Sequence, residues 1–258
     1  MPRRRRDAEV FVLKLPTPEG PMRVEVAVPH GELGLSALVP AAQRLTDSVV
    51  ERALAVERKQ GRPLSCKAGC GACCRQLVPV SAPEAFLLAE RIVSLPEPAQ
   101  SELLGRFDGA VDALGRAGLV ERLDALSGAA ASTDMAALAR DYFALGLACP
   151  VLVEESCSLH PVRPISCRDY CVTSPAEHCR RPSLGLIRKV PTPAILSEPL
   201  ARATARLVGG PPVLVPLATA MRWVDEHAEL ALRTFPARTL FHALLLELGV
   251  PPTALDER

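Results

Sequence analysis

Nine cysteines are the residues of this chain best suited to chemistry, and they fall into two groups. The first, Cys66-Lys67-Ala68-Gly69-Cys70-Gly71-Ala72-Cys73-Cys74-Arg75, has the pattern CxxxCxxCC. The two-residue gap between Cys70 and Cys73 lets a tight turn aim two thiolates at one metal, and Gly71 removes steric obstruction inside that turn. The second group is spread over Cys149, Cys157, Cys167, Cys171 and Cys179, with His160 and Arg163-Pro164-Ile165-Ser166-Cys167-Arg168 among them. One tetrahedral site takes four soft ligands, so either two metals bind or some thiols have other work. Neighbouring side chains such as Cys73 and Cys74 point in different directions, which favours a polynuclear cluster or two sites. The odd number of cysteines and the lack of an export signal make a disulfide framework the weaker explanation.

Four thiolates on Zn²⁺, or on an iron–sulfur core of charge +2, leave a net charge of −2. Arg75, Arg163 and Arg168 stand beside the thiols in sequence and can offset that charge as outer hydrogen-bond donors. His160 is a borderline-soft alternative ligand, but as a residue between a cysteine and a proline it is better read as a structural hydrogen-bonding group. His178, next to Cys179, is the least settled of the other histidines, and Tyr170 is expected to pack against the site and keep it dry. CxxxCxxC is also the spacing by which radical S-adenosylmethionine enzymes hold a [4Fe–4S] cluster. The chain beyond Cys73, however, has a helical pattern rather than alternating strands and helices. The motifs GxSxG, GxxxxGK[ST], HExxH and a GxGxxG following a strand are all missing.

These motifs in this order, CxxxCxxCC and then Cys149-Pro150, Cys157-Ser158-Leu159-His160 and Arg163-Pro164-Ile165-Ser166-Cys167-Arg168-Asp169-Tyr170, resemble the CxxCxxCC cysteine-cluster family, the YkgJ-like zinc- or iron-chelating domain. The resemblance covers Cys66 to Cys179 and says little about either flank. It implies metal chelation through Cys66, Cys70, Cys73, Cys74, Cys149, Cys157 and Cys167. Cys171 and Cys179 are assigned to the centre by proximity alone. Relatives of the family include an iron–sulfur-dependent enzyme type that methylates lysines of flagellin.

The elements that must position these thiols can be read from periodicity and breakers. Val10–Leu15 and Met22–Val28 read as a hairpin joined through Pro16–Pro21. Leu45, Val49, Ala53 and Val56 recur at helical spacing from Pro40 to Lys59, and Gly61 with Pro63 ends the pattern. Ser81 and Glu84 form a capping box for a helix to about Ser94, with Pro83 tolerated in its first turn. Leu103, Leu104, Phe107, Val111, Leu114, Leu119, Leu123 and Leu126 predict one long or two short helices, with Gly115 and Gly118 as candidate kinks. Ser132-Thr133-Asp134 caps a further helix that ends at Gly146. Pro150–Pro199 has little periodicity, and Pro199–Val208, Leu217–Leu232 and Thr239–Leu248 read as three closing helices. The expected fold is mainly α with a small N-terminal β-hairpin and an irregular cysteine-rich metal-binding centre. The expected organisation is an N-terminal β-element and helix over 1–60, a cysteine-cluster domain with a helical insert over 61–182, and a C-terminal helical segment over 183–258.

With 48% hydrophobic and 23% charged residues the composition is that of an ordinary globular protein. Lys and Arg total 30 against 29 Asp and Glu, so no overall field draws the chain to nucleic acid or to an anionic membrane. Arg3–Arg6 is the sole basic run, and Asp7, Glu9 and Lys14 interrupt any apolar stretch behind it, which argues against twin-arginine export and for a cytoplasmic protein. No segment approaches the length of about 20 apolar residues needed to span a bilayer. The residues support three functional expectations. The first is a metal-binding protein holding zinc or an iron–sulfur cluster. The second is an iron–sulfur-dependent modification enzyme like the flagellin lysine N-methylases, and the third is a redox sensor whose metal loss permits disulfide formation.

Overall fold

The computed structural model describes residues 8–15, 20–125, 134–182, 185–192 and 196–250. Arg3–Arg6, Pro16–Glu19 of the hairpin turn, Leu126, Ser132 and Thr133 lie outside the described residues.

The chain is mainly helical and opens with an antiparallel hairpin, as its sequence predicts. Strand β1 (Ala8–Leu15) pairs with β2 (Met22–Pro29) in a register that sets Phe11 opposite Val26 and Leu13 opposite Val24. Period-2 alternation puts Phe11, Leu13, Val24, Val26 and Val28 into the core and leaves Val10 and Val12 exposed. Helix α1 (Val39–Lys59) starts with Pro40 in its first turn, buries Ala42, Leu45, Val49 and Ala53, and ends before Gly61 at φ +74°. Gly61 adopts the left-handed conformation that turns the chain toward the first cysteines.

Helix α2 (Ala82–Val93) is buried from Ala82 to Leu88 and again at Ile92, and its capping box forms as expected. Of the two readings for the leucine-rich stretch, the structure takes two helices, α3 (Ala99–Arg116) and α4 (Val120–Asp124). They are separated where Gly118 sits at φ +64°. Helix α5 (Met135–Ala144) is capped by Asp134, whose Oδ1 accepts from the Ala137 N–H at 3.0 Å. Leu114, Leu119, Leu123, Leu138 and Tyr142 form a small core with Ala218, so the described helices of the insert between the two cysteine groups pack on one another.

At the carboxy-terminal end lie α7 (Ser197–Val208), α8 (Ala220–Glu226), α9 (Ala228–Ala231) and α10 (Ala237–Glu247). The stretch expected as one helix over Leu217–Leu232 divides at His227, whose backbone leaves the helical region. The His227 ring stacks on Trp223 with centroids 4.1 Å apart, and its Nδ1 lies 2.8 Å from the Trp223 carbonyl oxygen. Two short pairings have no periodic signal because each strand is three residues long. They are β3 (Glu32–Gly34) with β8 (Thr234–Pro236), and β4 (Pro79–Ser81) with β7 (Leu214–Pro216). They tie the amino-terminal half and the end of the first cysteine loop to the carboxy-terminal helices. One buried apolar cluster accordingly runs from Phe11 to Val250.

Helix α10 packs along α7, and Glu247 receives Arg202 Nε at 2.9 Å and Arg206 Nη2 at 2.7 Å. The hydrogen bond from Arg206, then that from Arg202, hold the Glu247 carboxyl below its ordinary value. A carboxylate with a lowered folded-state pKa gives stability that is present above its unfolded value and lost as pH falls through the folded one. The Glu247→Gln variant is therefore expected to lose less than about 1 kcal/mol at neutral pH. Its melting temperature should fall less steeply than that of the parent below about pH 4.5. Thermal melts between pH 3 and pH 7 check this, and parallel profiles would contradict it.

Candidate metal centre

The first cysteine loop leaves α1 and descends through three successive turns. These are closed by Cys70 N–H to Lys67 O at 3.1 Å, Cys74 N–H to Gly71 O at 3.0 Å and Gln76 N–H to Cys73 O at 3.0 Å. The second group lies beyond the insert on very short elements: β5 (Leu152–Val153), β6 (Ser156–Cys157) and the single-turn helix α6 (Ile165–Asp169). Its remaining chain is turn and extended backbone, as the lack of periodicity implies.

The fold brings the two groups together. Cys149 N–H donates to the carbonyl of Cys74 at 2.8 Å, and Ser65 N–H donates to the carbonyl of Val172 at 2.9 Å. Cys66, Cys70, Cys73 and Tyr170 pack against a small cluster of Ala72, Val172 and buried Cys179, while Cys149 and Cys157 pack against the main core. The other thiols are half-buried, and none forms a disulfide. As placed, no three His, Cys, Asp or Glu side chains among the described residues stand close enough to hold a metal ion.

Because the second group has so little regular structure, side chains from the helical frame satisfy its backbone. Arg168 is 7% exposed, and it donates to both oxygens of Asp47 on α1 at 2.9 and 2.7 Å, to the Arg163 carbonyl at 3.0 Å and to the Pro161 carbonyl. Gln43, also on α1, donates to the Val162 and Arg163 carbonyls at 3.2 and 3.1 Å. Glu84 is buried at the start of α2. Its Oε1 accepts from the Ile165 N–H at 2.7 Å, while its Oε2 accepts from the Ser81 N–H and hydroxyl at 2.8 and 2.7 Å. Burial raises the Glu84 pKa, and its hydrogen bonds from Ser81 and Ile165 oppose the rise. The capping box thus has a second task, holding the turn that carries Cys167.

A second clamp faces the first loop. The turn joining β5 to β6 has Glu154 at φ 48° and Glu155 at φ 58°, left-handed conformations that cost side-chain-bearing residues energy. Glu155 accepts from Arg75 at 2.6 and 3.1 Å and from Arg180 at 3.3 Å, and Arg75 also donates to the Gly71 carbonyl at 2.9 Å. A Cβ on Gly71 would meet Glu155 Oε2 at 2.7 Å and Leu152 Cδ1 at 2.9 Å. The obstruction that glycine avoids is this hairpin.

Burial dominates the electrostatics. It pushes the Cys149 thiol up to about 12 and those of Cys171 and Cys179 up to about 11, with nearby thiols adding to each shift. Cys66, Cys157 and Cys167 are raised for the same leading reason. The hydrogen bond between Cys73 and Cys74 favours the thiolate on Cys73 and the proton on Cys74. The nine free thiols are soft donors of the kind that zinc or iron–sulfur takes, and a metal must displace protons from those that burial raises.

The three arginines differ in position. Arg163 lies on the His160 ring and close enough to Cys66, Cys157 and Cys171 to favour their thiolates. Arg75 stands beside Cys74 but spends its hydrogen bonds on Gly71 and Glu155. Arg168 spends its own on Asp47 and two carbonyls. His178 Nδ1 lies 3.0 Å from the Leu186 carbonyl oxygen, and Lys189 Nζ sits 4.4 Å from the centre of the Tyr170 ring. Sequence reasoning missed Gln43, Asp47 and Glu155, for which no local signal exists, and found Glu84 only as a cap.

In comparison with known proteins, the chain matches no family model, no curated protein and no solved structure.

Two substitutions test the clamps. Glu84→Ala strands the Ile165 and Ser81 donors and is expected to cost about 2–4 kcal/mol in denaturant unfolding; a cost under about 1 kcal/mol would contradict the role given to Glu84. Gly71→Ala forces Glu155 and Leu152 apart and should cost about 1–3 kcal/mol. Gly105→Ala on α3, where a Cβ meets nothing within 4 Å, should instead stabilise by about 0.5–1 kcal/mol. Equal effects at the two glycines would show that the β5–β6 hairpin does not press on Gly71.

Proposed function

We propose that this chain is a metal-binding protein of the CxxCxxCC cysteine-cluster type, holding zinc or an iron–sulfur cluster through its two cysteine groups. The observation that carries the reading is the backbone hydrogen bond from Cys149 to Cys74. It joins groups that the sequence separates by a whole helical insert, and nothing in apolar packing requires the soft, polarisable sulfurs of nine cysteines to collect there. The ligands come from Cys66, Cys70, Cys73, Cys74, Cys149, Cys157, Cys167, Cys171 and Cys179. Arg163 supports the negative charge, while Arg75 and Arg168 hold the loops. Zinc would supply a cross-link between the loops, and an iron–sulfur cluster would add electron transfer. Free thiols throughout suit a reducing, cytoplasmic setting. No helix among the described residues is long and apolar enough to cross a membrane.

Nine free thiols, with Cys73 and Cys74 adjacent in the chain, favour a second reading, a peroxide-responsive thiol switch. In it, peroxide is reduced to water as two thiols lose their protons and electrons to a disulfide, and the metal leaves. Metal and thiols that both survive mild peroxide would overturn this second reading.

Elemental analysis and acid-labile sulfide, measured on anaerobically purified full-length protein, test the first reading. Bound zinc, or iron with matching sulfide, is expected, together with a fall in melting temperature on chelation. Protein that stays metal-free after both zinc loading under reducing conditions and anaerobic cluster reconstitution would contradict it.

A further inference from the structure

Charge is unevenly placed in this chain. Between Glu57 and Glu84 there are five Lys or Arg and no carboxylate, and between Glu177 and Glu198 there are four and none, although the whole chain has 30 against 29. The fold lays these two segments on either side of Val172. Ser65 N–H donates to the Val172 carbonyl at 2.9 Å, Val172 pairs antiparallel with Lys189, and the Thr173 N–H donates to the Arg188 carbonyl at 3.0 Å. A basic face therefore covers part of the cysteine-rich half.

Some of these cations have local work. Arg62 pairs with Glu57 at 2.6 Å, and Arg75 and Arg180 both hold Glu155. Arg58 and Lys59 lie in the last turn of α1, where the helix dipole favours positive charge, and Lys189 sits over the Tyr170 ring. Lys67, Arg181 and Arg188 are exposed and form no ion pair among the described residues. Compensation of buried thiolates does not explain them, because water and salt screen a cation that stands in solvent. Two apolar side chains share their segments: Leu64 is 38% exposed and Leu186 is 52% exposed. The backbone under them is fixed, since Ser174 Oγ accepts from the Arg188 N–H at 3.0 Å and His178 Nδ1 lies 3.0 Å from the Leu186 carbonyl oxygen.

We propose that this face docks an acidic protein, whose carboxylates meet Lys67, Arg181 and Arg188 around the apolar anchors Leu64 and Leu186. Apolar anchors within a charged rim are the anatomy of a protein interface, and guanidinium forks match carboxylates two hydrogen bonds at a time. Other polyanions fit less well. Duplex DNA binding draws on about 6–10 phosphate contacts, and single strands need exposed aromatic rings on which bases stack. Three unpaired cations and a half-buried Tyr170 supply neither. Polybasic membrane attachment takes about 4–8 clustered cations, more than are unpaired here. A second copy would set this face against a different, acidic one, a head-to-tail contact that closes only as a ring. Cys66 precedes Lys67, and Cys179 lies two residues before Arg181, so the docked partner covers the edge of the cysteine-rich half. This inference stands independently of whether the sulfurs hold metal.

The test measures binding of the full-length chain to three probes: a labelled peptide carrying Glu residues around a pair of leucines, a labelled DNA duplex, and vesicles of phosphatidylserine and phosphatidylcholine. Saturable one-to-one binding of the peptide is expected, weakened by added salt. The Lys67→Glu/Arg181→Glu/Arg188→Glu variant should bind it at least about tenfold more weakly, and Leu64→Ser/Leu186→Ser about threefold to tenfold more weakly. All these side chains are exposed, and circular dichroism checks that the variants fold. Lys14→Glu/Arg23→Glu/Arg91→Glu, which moves the net charge equally from positions on β1, β2 and α2, should bind like the parent. A folded parent that does not bind the peptide overturns the proposal, as does an equal loss in the control variant. Tighter binding to the duplex or to the vesicles than to the peptide overturns it in favour of that polyanion. Self-association of the parent that the triple charge reversal abolishes overturns it in favour of a second copy.

Discussion

The buried guanidinium of Arg168 is the interaction on which the cysteine-rich half of this structure depends. The chain around it has almost no regular secondary structure, so its carbonyls need donors from elsewhere. Arg168 supplies them to Pro161 and Arg163 while Asp47 on α1 balances its charge. A guanidinium is suited to this because it presents five donors in a rigid fork and stays charged when buried. Gln43 and Glu84 extend the same arrangement on either side. Together they fix an irregular loop against α1 and the start of α2 before any metal is considered.

That frame explains why the helices and the thiols belong to one architecture. The described helices of the insert between the cysteine groups close a small core with Ala218, and β4 with β7 anchors the end of the first loop to the carboxy-terminal half. The second group can therefore return to the first at a defined place, where Cys149 meets Cys74. From the opposite side, the left-handed turn at Glu154–Glu155 presses on Gly71, and Arg75 and Arg180 hold Glu155 there. Burial raises the thiols of Cys66, Cys149, Cys157, Cys167, Cys171 and Cys179, so any metal that binds them must displace protons.

Much of this was legible in the sequence wherever a period or a breaker existed. The hairpin follows from alternation in Val10–Leu15 and Met22–Val28, α1 from Leu45, Val49 and Ala53, and α2 from Ser81 and Glu84. The division at His227 was not legible, because the apolar pattern runs through it and only the packing of the ring on Trp223 shows the break. The three-residue strands carry no period. Arg168 illustrates the limit most clearly: its place beside Cys167 in the chain suggested a partner for sulfur, whereas in space its donors go to Asp47 and to carbonyls. Sequence proximity reports which residues can meet, and burial with hydrogen-bond demand decides which do. The meeting of the two cysteine groups at Cys74 and Cys149 was legible in outline, since groups that bracket a helical insert can be brought together by the fold.

The central claim is that these sulfurs bind metal. X-ray absorption at the edge of whichever metal the anaerobically purified protein contains measures this most directly. Ligation by the cysteines predicts a first shell of sulfur alone, at about 2.3 Å, with four scatterers if the metal is zinc. A first shell dominated by nitrogen or oxygen would contradict it, because the metal would then be held somewhere other than among the cysteines.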